Sequence, residues 1–76
     1  LEAMEKLAQK KKVEAELLRN EISLRLLNVD VPKKGGVLIS GVSNSESEVD
    51  RILEIIQAIP EIADVESSIV IANATF

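Results

Sequence analysis

The first 27 positions hold neither Gly nor Pro and are dense in Ala, Leu, Glu, Lys and Gln, the residues that lose least on entering a helix. This predicts a long helix over Leu1 to Leu26. At about 100° per residue its apolar positions fall on two stripes. Met4, Leu7, Ala15, Leu18, Ile22 and Leu26 form one, and Val13, Leu17, Leu24 and Leu27 the other. Two readings follow: both stripes flank one broad face laid on a sheet, or the second meets another subunit or domain. Before Val13 the pattern thins to Gln9-Lys10-Lys11-Lys12. Residues 1–12 therefore read as a helical extension or linker, and 13–76 as the domain.

From Leu27 the period changes to two. Leu27, Val29 and Val31 alternate with Asn28 and Asp30 until Pro32-Lys33-Lys34-Gly35-Gly36 breaks the run, and Val37 to Val42 follows as a second strand. The short, glycine-bearing connection predicts an antiparallel hairpin. Ser45-Glu46-Ser47-Glu48 has the form of a capping box, so a second helix is expected from about Glu46, with Val49, Ile52, Leu53, Ile56 and Ile59 on one face and Pro60 as its stop. Ala63 to Ala72 reads as a third strand. The order is αββαβ. Asn28, Asp30, Ser40 and Ser68 make one sheet face polar, so both helices must share the other, which gives an α+β two-layer sandwich with two helices on a three-stranded sheet. The expected core is Leu18, Ile22, Val37, Ile39, Ile52, Leu53, Ile56, Val65, Ile69 and Ile71.

Chemistry narrows next. The 76 residues contain no Cys, His, Trp or Tyr, and 46% of them are hydrophobic, enough to bury a core. Without Cys or His, disulfide scaffolds, zinc fingers and thiol or imidazole catalysis are excluded. No cofactor is expected and no enzyme; a small hydrolytic enzyme is the alternative of a different class. Ser45, Glu46 and Glu48 suit helix capping and the positive end of the helix dipole better than a reactive site. Gly36 and Gly41 have phosphate-loop spacing, but Val42-Ser43 follows where Lys-Ser/Thr is needed. Nucleic acid is not expected either, since aromatic platforms are missing and the net charge is −4. That charge is uneven: six basic and five acidic residues through Arg25, then three and eight. Lys33 and Lys34, with Arg51, are the exceptions in the acidic part, and the two lysines form a turn pair able to approach anionic headgroups. Leu17 and Leu24, with Val13 before and Leu27 after, line a seam suited to self-association or a protein partner. Leu1 is not an initiator, so the chain is expected to be an excerpt of a longer protein.

The order αββαβ, with Ile39-Ser40-Gly41 ending a strand and Ser43-Asn44-Ser45 opening a helix, resembles a BON domain over Val13 to Asn73. Pro60 to Val65 leads into the last strand, with Glu61 where that family usually has glycine. The resemblance implies a non-catalytic module of a bacterial envelope protein, periplasmic, contacting proteins or phospholipid. A looser similarity, to the periplasmic modules of type III secretion inner-membrane ring proteins, implies ring building as the alternative.

Overall fold

The structure, a computed structural model, describes residues 2–72. Leu1 and residues 73–76, the outer ends of the predicted first helix and of the domain drawn over 13–76, lie outside the described residues. The chain runs α1 (Glu2–Arg19), β1 (Leu27–Asp30), β2 (Gly36–Ser43), α2 (Glu46–Gln57) and β3 (Asp64–Ile71). The sheet order is β1-β2-β3, so β2 is central; it pairs antiparallel with β1 and parallel with β3. This is the α+β fold expected from the pattern, including the hairpin. Val29, opposite Ile39, and Val37 face the helices, while Asn28, Asp30 and Ser68 are exposed on the other side.

The first helix stops seven residues earlier than its composition suggests, and the reason is a backbone motif. Ile22 N–H donates to the Leu17 carbonyl at 2.9 Å and Glu21 N–H to the Leu18 carbonyl at 3.0 Å, with Glu21 at φ 64°. This is a Schellman ending, with Glu21 in the left-handed position where Gly is usual. Its accompanying apolar contact is supplied by Leu17 and Ile22, both in the core. The side chain of Asn20 also donates to the Glu16 carbonyl at 2.8 Å, and Arg51 of α2 donates to the Asn20 carbonyl at 2.9 Å, a cation placed on the negative end of α1.

The orientation of α1 on the sheet decides which stripe is core. Val13 and Leu17 are fully buried with Ile22, Val29, Val37, Ile39, Ile52, Ile56 and Ile59. Leu18, expected in the core, is 58% exposed, because one residue is about 100° of helix and Leu17 holds the inward position. Leu53, Val65 and Ile69 pack against the core from its edge, and Ile71 is half-buried.

The β2–α2 junction is shorter than a full capping box. Ser45 Oγ accepts from Glu48 N–H at 3.3 Å as expected. The Glu48 carboxylate does not return to Ser45 N–H; it accepts from the Ser43 hydroxyl at 2.7 Å, and that hydroxyl accepts from Ser45 N–H at 3.4 Å. Ser43 thus relays the second half of the box. Gly41 is required by close approach: at φ 131°, a Cβ there would lie 2.0 Å from the Leu26 carbonyl oxygen.

Two outcomes test this packing by urea denaturation. Leu17→Ala should cost about 2–5 kcal/mol and Leu18→Ala under about 0.5 kcal/mol; equal losses would mean that α1 is rotated wrongly. Glu21→Gly should raise stability by about 0.5–1 kcal/mol, since Gly removes the left-handed penalty and loses part of that gain to its freer unfolded chain.

Candidate interaction surfaces

The hairpin turn is built around Gly35, at φ 83°. Its N–H donates to Gln9 Oε1 at 3.0 Å, and Gln9 Nε2 donates to the Gly36 carbonyl at 2.9 Å, so one side-chain amide fills both a donor and an acceptor need of the turn. The Gly35 carbonyl accepts from Ala63 N–H at 2.7 Å and Asp64 N–H at 3.1 Å. The extension drawn over 1–12 is therefore tied to the domain at Gln9. It is also tied at Lys12, whose ammonium reaches Glu61 at 2.6 Å. Between α1, the turn and the α2–β3 loop lies an open cleft of about 350 Å³ that includes Ala8, Ile59 and Ile62. Lys33 and Lys34, expected as a free cationic tip, are exposed but ion-paired, with Asp64 at 3.1 Å and Glu5 at 3.4 Å.

The structure takes half of the expected interface seam into the core. Val13 and Leu17 are at its centre, with no surface left for a neighbour, and Leu24 and Leu27, beyond the end of α1, are half-buried against it. The free apolar surface is the opposite stripe: Met4, Leu7 and Leu18 are exposed on α1, with Lys11 and Ala15 between them and Leu26 exposed beyond the helix end. The sequence shows both stripes; the signal separating them is the helix stop, which Glu21 hides because it is not a glycine.

The sheet's open face is graded. Leu26, Val42 and Val70 lie near one end, Asn28, Ser40 and Ser68 across the middle, and Asp30, Leu38 and Glu66 at the other end. Beside the apolar end is a second open cleft of about 380 Å³, which includes Ser23, Arg25, Asn44 and Glu48. Ser43, which also lines it, is buried, with its hydroxyl donating to the Glu48 carboxylate as part of the cap of α2. Among the described residues no group of three acidic side chains gathers to hold a metal ion, and no helix is long and apolar enough to cross a membrane.

One carboxylate is electrostatically distinct. The hydrogen bond from Lys12 holds Glu61 below the ordinary glutamate range, against a smaller opposing effect of desolvation. Stability from this pair is present above the unfolded glutamate pKa and is lost as pH falls through the lowered folded one. A carboxyl-detected NMR titration should show Glu61 titrating below the ordinary glutamate value, with its midpoint rising in Lys12→Met. A midpoint that Lys12→Met leaves in place would remove Lys12 as the cause.

No curated protein matches the chain in sequence. The family model described as BON domain matches residues 6–73, nearly the whole chain, and so takes in Gln9 and Lys12 as well as the sheet and α2. Over the matched residues the chain folds as a helix, a hairpin, a serine-capped helix and a closing parallel strand. The chain belongs to the BON domain family.

Proposed function

We propose that this chain is a non-catalytic interaction module of a bacterial envelope protein, and that it contacts a protein partner through the outer row of α1. BON domains occur in periplasmic or envelope proteins and are generally non-enzymatic. The observation that carries the reading is the two-sided character of α1. Its inner stripe is consumed by the core, while Met4 and Leu7 are 70% and 53% exposed and Leu18 extends the same row about three turns beyond Leu7. A helix that needed only to cover the sheet would place polar residues there. A protein partner is favoured over phospholipid because the turn lysines are already paired and the segment that carries this row, through Arg25, has six basic residues against five acidic ones. That is too little net charge to draw it onto anionic headgroups.

The test uses the full parent protein in cells, with a photo-crosslinking residue at position 7 or 18 and, as control, at Asp50 on the polar face of α2. Discrete protein adducts at 7 and 18 and none at 50 are expected. Lipid adducts at 7 and 18 in place of protein would support the phospholipid contact instead, and identical adducts at all three positions would overturn the assignment of this face. The variant Leu7→Lys/Leu18→Lys should lose the adduct at a neighbouring crosslinking position, Met4, while melting within about 3 °C of the parent, as expected for surface changes of about 0.5 kcal/mol.

A further inference from the structure

The outer edge of β3 is a separate surface from the α1 row, and it stands without the reading above. β3 is an edge strand eight residues long, twice the length of β1 at the other edge, and pairs with β2 one-to-one from Gly36↔Asp64 to Ser43↔Ile71 without a bulge. The register and the bonds at the two ends of the ladder, Asp64 N–H to the Gly35 carbonyl and Ala72 N–H to the Ser43 carbonyl, assign the backbone groups. The even-numbered residues 64 to 72 turn their N–H and C=O toward β2. Val65, Ser67, Ile69 and Ile71 turn theirs outward, where no described residue meets them.

Edges of this kind are usually blunted by a charge, a proline or a bulge. Here Asp64 and Glu66 guard only the first half, and Ser67 to Ala72 carry no charge at all. The unguarded half is also undercovered on both faces. Val70 is 63% exposed on the open side, and Ile69 and Ile71 are half-buried under the helices. Outward-facing backbone groups specify an extended strand as the occupant, since nothing else satisfies alternate donors and acceptors at this repeat.

We propose that the occupant is β3 of a second copy, paired antiparallel about a two-fold axis at Ser68. With Ser68 opposite itself, Ser67 faces Ile69 of the second copy and Val65 faces Ile71, so all four outward-facing residues of each strand bond. This forms about eight backbone hydrogen bonds, two for each of the four pairs. The charges choose this direction. Antiparallel pairing sets Glu66 opposite Val70 and Asp64 opposite Ala72, whereas in-register parallel pairing would set Glu66 on Glu66 and Asp64 on Asp64, a destabilising arrangement. Burial spreads to Val70, Ile69 and Ile71 on both strands. The result is one continuous six-stranded sheet, closed by its symmetry at two copies. One strand pair covers far less than the roughly 1,600 Å² of a standard interface, so the dissociation constant should be micromolar or weaker.

Sedimentation equilibrium of the chain from about 10 μM to about 1 mM reads this directly. The mass should rise from one chain toward two and stop there. Ser67→Pro deletes an outward N–H from an exposed edge position and no ladder bond to β2, so it should remain folded by circular dichroism and stay a monomer. Ser67→Ala keeps the N–H and should dimerise like the parent. Amide hydrogen exchange on the parent needs no variant: Ser67, Ile69 and Ile71 should slow as concentration rises, while the even-numbered amides, already held by β2, should change far less. A mass that never rises, a mass that grows past two, a dimer that survives in folded Ser67→Pro, or odd-numbered amides indifferent to concentration would each overturn the proposal.

Discussion

A single strand, β2, is the hydrogen-bonding partner of both other strands, and it must satisfy an antiparallel neighbour on one side and a parallel one on the other. The hairpin needs only a short turn, but the parallel neighbour requires a crossover, and α2 is that crossover. Once α2 is committed to one face of the sheet, the core must be completed from the same side. Val13 and Leu17 of α1 do this, beside Ile52 and Ile56 of α2 and over Val29, Val37 and Ile39. The open face follows by subtraction, since among the described residues both helices lie on the same side of the sheet. So does the long free edge of β3.

Most of this architecture is legible because α2 and the hairpin announce themselves locally. Ser45 stands three residues before Glu48, Pro60 closes an unambiguous 3–4 pattern, and Gly35-Gly36 interrupts a period-two run. These signals are backbone chemistry written into residue type. The ending of α1 is not, since Glu21 takes a left-handed conformation for which its side chain has no preference, held there by the contact between Leu17 and Ile22. A reading by composition runs on to Leu26. Two adjacent leucines then become indistinguishable, and the choice of Leu18 over Leu17 exchanges the inner and outer faces of the helix.

The surface was less legible still, because it depends on pairings between distant residues. Lys33 and Lys34 look free in the sequence, and only the fold shows Asp64 and Glu5 beside them. Gln9 sits in a lysine-rich run that reads as linker, yet its amide is the one side chain in that run shaped to give and take a hydrogen bond at the hairpin turn. Ile39-Ser40-Gly41, the part of the sequence that most resembled the family, has a concrete structural reason at Gly41, where the Leu26 carbonyl leaves no room for a side chain. The unpaired groups of β3 are invisible to any side-chain pattern, since backbone donors and acceptors are the same at every position and only the register tells which of them point outward.

The relay through Ser43 also governs where the chain tolerates a change in length. Ser43 is at once the last residue of β2 and the residue whose hydroxyl holds Ser45 and Glu48, which leaves only Asn44 and Ser45 between strand and helix. One inserted residue there would separate the hydroxyl from its partners or turn α2 by about 100°, carrying Ile52 and Ile56 out of the core. The α2–β3 connection is similarly fixed, because Ala63 and Asp64 both bond the Gly35 carbonyl. Length variation among sequences sharing this fold is thereby channelled away from these joints and toward exposed positions such as the tip at Pro32 and Lys33, whose side chains stand clear of the core. Gaps in an alignment of such sequences would then mark the hairpin tip, and an uninterrupted stretch from β2 into α2 would mark the mechanical joint of the domain.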